Sequence, residues 1–343
     1  MRLIHCTDEH FDRWEDYVKR SPKSTLYHRM GWKNVIERSF GHETYYLLAE
    51  ENGCVVGVLP LVLISHPFFV KCVVSMPFLN YGGICADSEE PEHLLLAEAV
   101  EITQRANANY LELRQLERVE CHLASSEEKV TMTVDLESDP DLLWSLFNPK
   151  LRQTIRQAQK SGLQLSVGGE ENLNAFYEVF SGNMKELGSP VYGVSFFRNV
   201  LREFPGEMLI FTVTYGEKTI GAAFVGRFKK SLEGFWASSL REHFDLHPNE
   251  YLYWKQLEYG CTHGYDCFNL GRSSKASGSF RFKKKFRAVA RQLYFQYHLN
   301  KGEEIPSMNS EALKYRIAAG MWRHLPLRIT RMVGPHVRKY MTQ

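Results

Sequence analysis

Apolar residues in the first half of the chain recur at helical spacing in some segments and form short unbroken runs in others. Phe11, Trp14, Tyr17 and Val18 have the spacing of a helix. Two apolar runs flank Asn52-Gly53, a dipeptide that predicts a β-hairpin. The same pattern analysis predicts further helices over 30–41 and 91–108 and strands within 71–86 and over 110–117.

The second half shows the same succession of patterns. Asn148, Pro149 and Gly162 predict the start and the end of one helix. Three apolar runs between 207 and 240, separated by turns at 215–218 and 229–231, predict three antiparallel strands. The remaining predicted elements are helices over 173–188, 194–204 and 249–264, and strands over 265–270 and 291–300.

Each half therefore contains helices, an antiparallel hairpin, and a helix that crosses to another strand. This order predicts the α+β class with two similar domains and a boundary near 137–148. We expect an N-terminal domain at 1–140, a C-terminal domain at 141–304 and a helical tail at 305–343.

Composition agrees with a folded protein, since 44% of the residues are hydrophobic and 13% are aromatic. No apolar run reaches the roughly 20 residues of a membrane-spanning helix, and the first residues lack the apolar core of a signal peptide. The seven cysteines are scattered without a CxxC pair. We therefore expect a cytoplasmic protein with reduced thiols and no metal site.

Charge is distributed unevenly along the chain. From Gly271 to the end, 16 lysines and arginines face 3 acidic residues, a balance of +13. Because the net charge is +2, the first 270 residues carry −11. The basic end fits an anionic partner such as nucleic acid, a phosphorylated sugar or anionic lipid, or it is a solvated basic tail.

Several motifs resemble one known family. The segments "LRQTIRQAQKSG", "ELGSPVYGVSFF", "HPNEYLYWKQLEYGCTHGYDCFNLGRSS" and "GSFRFKKKF" resemble the FemAB-type branch of the GNAT acyltransferase superfamily. "STLYHRMGWKNVIERSFGHETYYLLAE", "GVLPLVLI" and "VSMPFLNYGGI" extend the resemblance into the first half. The most similar subgroup is the FemAB-like proteins associated with PEP-CTERM and exosortase gene clusters.

The resemblance implies two tandem GNAT-like domains and transfer of an acyl or aminoacyl group to an amine. We expect the acceptor to be an amino sugar or a saccharide-linked precursor of the cell envelope or of an exopolysaccharide. Two other functions stay open: a non-catalytic GNAT-like module that binds an anionic ligand, and a tRNA-binding protein.

GNAT-like sheets part between two central strands, and the acyl donor lies in the opening. The family pattern assigns these strands to 234–239 and 266–270, and the backbone near Ala237-Ser238-Ser239 to the oxyanion of the tetrahedral intermediate. The predicted catalytic residues are Lys283, Ser238 and His243. His243 lies with Asp245 and His247 in a polar loop, where any of the three could accept the proton of the amine.

The predicted substrate-binding residues fall into groups at the ends of strands and on helices. Arg272 leads, because a guanidinium binds phosphate or carboxylate in a bidentate manner. Arg114 is placed at the seam between the predicted domains, and Arg156 on a basic helix face. The full set is Arg272, Ser273, Asn249, Tyr251, Trp254, Asn80, Tyr81, Arg114 and Arg156.

The donor is either an acyl-coenzyme A or an aminoacyl-tRNA. Acetyl-CoA-dependent relatives cradle the pyrophosphate on a glycine-rich loop at a helix start. This chain has no glycine between Leu240 and Tyr259. The departure favours a bulkier donor such as aminoacyl-tRNA.

The C-terminal segment is basic and amphipathic. Leu313, Ile317 and Met321 repeat at a spacing of four among basic residues. Such a helix either lies on an anionic membrane surface or packs on the protein body. We therefore keep peripheral contact with the inner face of the membrane as one hypothesis for this tail.

Overall fold

The computed structural model describes residues 1–66, 71–120, 122–302, 304–305 and 313–342. They form two compact units. The first comprises Met1–Val130, Arg291–Ser307 and Lys339–Gln343, and the second comprises Thr131–Ala290 and Met308–Arg338. Each unit is built on one β-sheet with helices packed against it, so the predicted α+β class is confirmed.

The elements are numbered in chain order. The strands are β1 (Arg2–His5), β2 (Glu43–Glu51), β3 (Cys54–Ile64), β4 (Cys72–Val74), β5 (Cys85–Ala86), β6 (Tyr110–Gln115), β7 (Ala124–Ser126), β8 (Lys129–Asp135), β9 (Gln164–Gly168), β10 (Met208–Tyr215), β11 (Lys218–Phe228), β12 (Ser231–Ser239), β13 (Cys267–Ser274), β14 (Val289–Gln292) and β15 (Tyr294–Leu299). The α-helices are α1 (Phe11–Arg20), α2 (Gly31–Phe40), α3 (Glu89–Arg105), α4 (Pro140–Ser145), α5 (Pro149–Lys160), α6 (Leu173–Leu187), α7 (Val194–Glu203), α8 (Pro248–Thr262), α9 (Gly278–Lys284), α10 (Leu313–His324) and α11 (Leu327–Arg338).

The first sheet has the order β1-β2-β3-β4-β6-β15-β7, with β5 paired to β3. The predicted hairpin joins β2 to β3, and Asn52 and Gly53 both have positive φ, as a tight hairpin turn requires. Helix α3 packs on this sheet, and Leu95, Ala99 and Ile102 enter its apolar core.

The second sheet has the order β14-β8-β13-β12-β11-β10-β9. Strands β10, β11 and β12 are the predicted antiparallel run. Helix α5 begins as its sequence predicts, because the Asn148 side chain accepts a hydrogen bond from the backbone N–H of Leu151 at 2.8 Å. Helices α6 and α8 pack on the sheet and connect it to the rest of the unit.

Two predicted strands differ from the structure. The strand predicted over 265–270 continues to Ser274, because Gly271 adopts a positive φ of 80° and lets the chain bend without leaving the strand. The strand predicted over 291–300 is divided in two. Its first residues belong to β14 in the second sheet, and β15 pairs with β6 in the first sheet.

The C-terminal segment is helical, as predicted, and packs on its own unit. Helices α10 and α11 both lie against α6. Arg331 fixes the second of them, since its Nε donates to Ser181 Oγ and its NH1 donates to Glu178 Oε1, both at 2.9 Å. The start of the predicted tail, 306–312, lies outside the described residues.

Within the described part of the chain, no helix is both long enough and apolar enough to cross a bilayer. The six cysteines in that part are free thiols, and Cys121 lies outside it.

A buried ion pair forms on β6 in the first unit. Arg114 is 0% exposed and donates from Nε to Glu112 Oε1 at 2.7 Å. The two side chains share one face of the strand, since they are two residues apart. The Arg114 guanidinium also donates to the carbonyl oxygens of Leu79 and Thr342.

We predict that Arg114→Ala lowers the free energy of unfolding by about 3–5 kcal/mol, because it leaves the Glu112 carboxylate buried without its cation. The matched control is Arg105→Ala, which breaks a pair between Glu98 and a side chain that is 62% exposed and is expected to cost less than about 1 kcal/mol. Urea denaturation of both variants checks this. Equal losses would contradict the structural importance of the buried pair.

Candidate acyl-transfer site

Strands β12 and β13 run parallel and then part. They pair over only three positions, Ser231 with Cys267 through Glu233 with Asn269. Beyond these positions each strand continues, β12 to Ser239 and β13 to Ser274, without pairing to the other. The second sheet therefore opens between two central strands, where the resemblance to the GNAT superfamily places the opening.

A bulge marks the start of the opening. Phe224 of β11 is opposite Trp236, and Val225 is opposite Gly234, so Phe235 has no counterpart. Such a bulge bends its strand and re-aims the neighbouring side chains, a device that is frequent next to active sites.

The bulge also decides which backbone groups face the opening. Leu240 N donates to Ile220 O, directly across the β11–β12 pair. In an antiparallel pair the residues alternate, so Ser238 also faces β11, while the N–H groups of Ala237 and Ser239 point to the other edge. That edge is the side from which β13 has parted.

A cavity of about 180 Å³ occupies the opening. Most of the lining residues are aromatic or aliphatic, and Tyr253 and Trp236 among them also carry a hydroxyl and an indole N–H. The other polar lining residues are Gln256, Ser279 and Lys283. The lining residues are Ala223, Phe224, Gly234, Phe235, Trp236, Ala237, Tyr253, Gln256, Phe268, Leu270, Ser279 and Lys283.

Lys283 is buried at 5% exposure on α9, directly against β13. Its Nζ donates to Gly271 O at 2.9 Å and to Arg272 O at 3.1 Å. These two carbonyls follow the point at which β13 loses its pairing with β12. Burial, with a smaller contribution from the Arg272 guanidinium, lowers the pKa of Lys283 from 10.5 to about 7.

Helix α9 brings this lysine to the opening for a reason visible in the sequence. Ser277 is the N-cap, and its Oγ accepts a hydrogen bond from the backbone N–H of Phe280 at 3.1 Å. The helix then places Phe282 against Tyr253, with Phe286 just beyond its end, while Lys283 faces β13.

Arg272 and Ser273 lie beside Lys283 on β13. Ser273 Oγ is 3.2 Å from Ser279 Oγ, so it is one contact away from the cavity wall. Arg272 is partly exposed. The structure thus brings together three of the residues predicted from the sequence.

Ser238 and His243 do not line the cavity, although Ser238 lies on β12 directly after the lining residue Ala237. Ser238 is 4% exposed, and its Oγ accepts a hydrogen bond from Asn183 Nδ2 at 2.9 Å. His243 lies in a 3₁₀ turn after β12, with Nε2 at 3.5 Å from Glu242 Oε1. Asp245 and His247 lie in the same turn region, and His247 adopts a left-handed conformation at the start of α8.

Tyr251 and Trp254 lie on the side of α8 that faces α4 and α5, and Arg156 lies on α5. The Tyr251 hydroxyl donates to Leu163 O at 3.3 Å. Trp254 packs against Trp144, with ring centroids 4.8 Å apart, and the Arg156 guanidinium lies 5.5 Å from the centre of the Trp144 ring. Tyr251, Trp254 and Arg156 therefore do not line the cavity, although the aromatic cluster around Trp254 continues through Phe147 and Phe286 to Tyr253 in the cavity wall.

Asn80, Tyr81 and Arg114 belong to the first unit. Asn80 Nδ2 donates to the Tyr27 hydroxyl at 2.7 Å, and the Tyr81 ring packs edge-on against Tyr27 at 4.6 Å. Arg114 forms the buried ion pair with Glu112. Ligand binding by these three residues stays a prediction.

The start of α8 fits a pyrophosphate poorly. Asn249 is its second residue, after Pro248, which has no N–H to offer. Glu250 follows in the first turn and places a carboxylate where an anion would bind, with Oε1 at 3.4 Å from Lys285 Nζ. The residues present therefore do not form the cradle that coenzyme A would need there.

Gln256 and Ser279 are two polar cavity residues that the sequence analysis missed, along with the aromatic residues of the wall. Gln256 shares its helix face with Leu252 and Gly260, four residues on either side, and all three are buried. The sequence signal that could have identified Gln256 is a polar residue on an otherwise apolar face of the predicted helix. Ser279 gave none, because serines at a helix start are common as caps.

Comparison with known proteins agrees with this architecture. Residues 148–284 match the model of the acetyltransferase (GNAT) domain family, and no sequence relative is found among curated proteins. The chain is similar in structure to FemX, with a TM-score of 0.66 and 16% identity over 86% of this chain and 97% of that one.

Two further structures share the fold. The C-terminal domain of a putative lysylphosphatidylglycerol synthetase from Agrobacterium fabrum has a TM-score of 0.59 and 14% identity, over 91% of this chain and 96% of that one. A tandem GNAT protein from the clavulanic acid biosynthesis pathway has a TM-score of 0.57 and 13% identity, over 88% of this chain and 99% of that one. Residues 148–284 therefore match the acetyltransferase (GNAT) domain family, and the likeness to these solved structures shows the GNAT-like fold that the resemblance predicted.

Proposed function

We propose that the chain transfers an aminoacyl or other acyl group from an ester donor to the amine of a saccharide-linked envelope or exopolysaccharide precursor. One observation carries the proposal: the cavity between β12 and β13 is closed on one side by the buried amine of Lys283. The poor fit of the α8 start to a pyrophosphate favours an aminoacyl-tRNA over an acyl-coenzyme A.

In the proposed reaction, the acceptor nitrogen bonds to the carbonyl carbon of the ester and the C–O bond to the leaving group breaks. The tetrahedral intermediate carries its negative charge on oxygen. The N–H groups of Ala237 and Ser239, which point away from β11, are placed to donate to that oxygen.

One proton must leave the attacking nitrogen and one must reach the leaving oxygen. A group with a pKa near neutrality can accept the first and give the second, and the pKa of Lys283 is lowered to about 7. We therefore assign proton transfer to Lys283. The other two catalytic residues predicted from the sequence, Ser238 and His243, remain proposals.

The charge around α9 supports an anionic acceptor. Lys275, Arg281, Lys284, Lys285 and Arg287 are exposed, and no acidic residue occurs between Cys267 and Gly302. Together with Arg272 they suit a phosphate that links a saccharide to its carrier.

The tail suits a substrate held at a membrane. Between 313 and 343 the sequence has seven lysines and arginines and no acidic residue. Although α10 and α11 pack on α6, they leave Ile317, Met321 and Met332 exposed at 54%, 69% and 67%. Exposed apolar side chains among cations are what an anionic bilayer surface binds.

We predict that Lys283→Met lowers kcat by about 10²-fold or more, because the proton relay is lost. The matched control is Lys284→Met, the next residue, whose side chain is exposed. The assay follows amide formation on amino-sugar acceptors with aminoacyl-tRNAs and acyl-coenzyme A thioesters as donors. A non-catalytic binding module would bind these donors and consume none.

We predict that stability rises with pH between about 7 and 10.5 because of Lys283. Across this window Lys283 is protonated in the unfolded chain and neutral in the folded chain. Folding therefore releases a proton, and the free energy of unfolding rises as the pH rises. The contribution is up to about 1.4 kcal/mol per pH unit. Urea unfolding at pH 6.5 and 9.5 measures it, and the rise should be smaller in Lys283→Met. An unchanged rise in that variant would contradict the lowered pKa.

We predict that the full chain binds vesicles containing phosphatidylglycerol and that Met321→Glu/Met332→Glu weakens this binding at least several-fold. The control is Leu142→Glu, since Leu142 is also exposed but lies on α4. Co-sedimentation with anionic and with zwitterionic vesicles measures the effect. Equal loss of binding in both variants would rule out a specific role of the tail.

A further inference from the structure

One polar group in the cavity is left without a protein partner. Gln256 is 3% exposed on α8, and its Nε2 has no hydrogen-bond partner among the described residues. The side chain reaches the cavity between β12 and β13, whose remaining walls are mostly aromatic and aliphatic. A buried N–H group without a partner costs about 1–3 kcal/mol.

Stability does not explain this residue. Tyr251, another buried residue of the same helix with a polar atom, has its hydroxyl bonded to Leu163 O. Leu252 and Gly260 on the same face are apolar, so an aliphatic residue at position 256 would complete the stripe. A glutamine that lowers stability and faces a cavity points to a ligand that satisfies it.

Lys283 and the backbone N–H groups at the opening have other partners or other roles in the proposed reaction. Lys283 Nζ donates to the carbonyl oxygens of Gly271 and Arg272. The N–H groups of Ala237 and Ser239 lie on the edge where the reacting carbonyl would be held. The Gln256 amide is thus available to a second oxygen atom of the molecule that enters the opening.

We propose that Gln256 determines which acyl group is transferred, by donating a hydrogen bond to an oxygen atom that the acyl chain carries besides its reacting carbonyl. The favoured acyl groups are small ones with a hydroxyl, such as a seryl or a 3-hydroxyacyl group. An acyl group without this oxygen leaves the amide unpaired, and a site built to bond a hydroxyl rejects such analogues strongly. The inference rests on the acyl-transfer function proposed above.

Two probes that differ by one hydroxyl test the proposal: S-(3-hydroxybutanoyl)-N-acetylcysteamine and S-butanoyl-N-acetylcysteamine. Calorimetric titration gives the Kd of each for the full chain. We expect the hydroxylated probe to bind at least about tenfold more tightly to the unsubstituted protein, which is the effect of one hydrogen bond to an otherwise unpaired buried group. In Gln256→Leu the two Kd values should become equal.

Gln115→Leu is the matched control. Gln115 is also 3% exposed with an unpartnered Nε2 among the described residues, but it lies on β6 in the first unit. This variant should keep the tenfold preference.

A thermal unfolding scan adds a second readout. Gln256→Leu should unfold at the same or a higher temperature than the unsubstituted protein, whereas loss of an amide that folding needs would lower the unfolding temperature.

Each outcome decides the matter. A preference that survives in Gln256→Leu, or equal binding of both probes to the unsubstituted protein, overturns the role of Gln256 and leaves the acyltransferase function standing. Binding of neither probe to the unsubstituted protein contradicts the cavity as the acyl site, and the role of Gln256 with it.

Discussion

The loss of pairing between β12 and β13 is the constraint on which the site depends. A strand in the centre of a sheet normally forms backbone hydrogen bonds to a neighbour on each side. Here the hydrogen bonds between β12 and β13 stop after three positions. The groups that follow must find other partners. Lys283 supplies a donor to two of the carbonyls of β13, and on the β12 side the N–H groups of Ala237 and Ser239 are directed into the opening. The backbone N–H groups at such an opening can by themselves bind an oxygen atom of a ligand.

Burying a lysine in that opening has a consequence for chemistry. The aromatic and aliphatic wall of the cavity makes the ammonium form costly, and the neighbouring Arg272 adds repulsion, so the amine titrates near neutrality. Structure and reactivity therefore have one origin, the separation of two strands around an apolar space.

The sequence predicted the order of elements well where local signals were strong. Asn52-Gly53 formed its hairpin, Asn148 capped its helix, and the three strands between 207 and 240 formed as a meander. Lys283 was identified from the family pattern and is the predicted residue that lines the cavity. Local signals could not show that β13 continues past Gly271, nor that the chain between Val289 and Leu299 serves two sheets, because pairing partners distant in sequence decide both. Gln256 was missed for the same reason: only the parting of the strands turns an inward-facing polar residue on a helix into a ligand contact.

Amide hydrogen exchange in the presence of a stable donor analogue tests whether the acyl donor binds in the opening between β12 and β13. A 3′-seryl-amino-adenosine, whose amide cannot be transferred, represents the aminoacyl end of a tRNA, and acetyl-coenzyme A serves for comparison. We expect the adenosine analogue to slow exchange at residues 234–239, where the N–H groups of Ala237 and Ser239 face the opening. Slowed exchange confined to other segments, with none at 234–239, would contradict the assignment of this opening as the acyl-donor site.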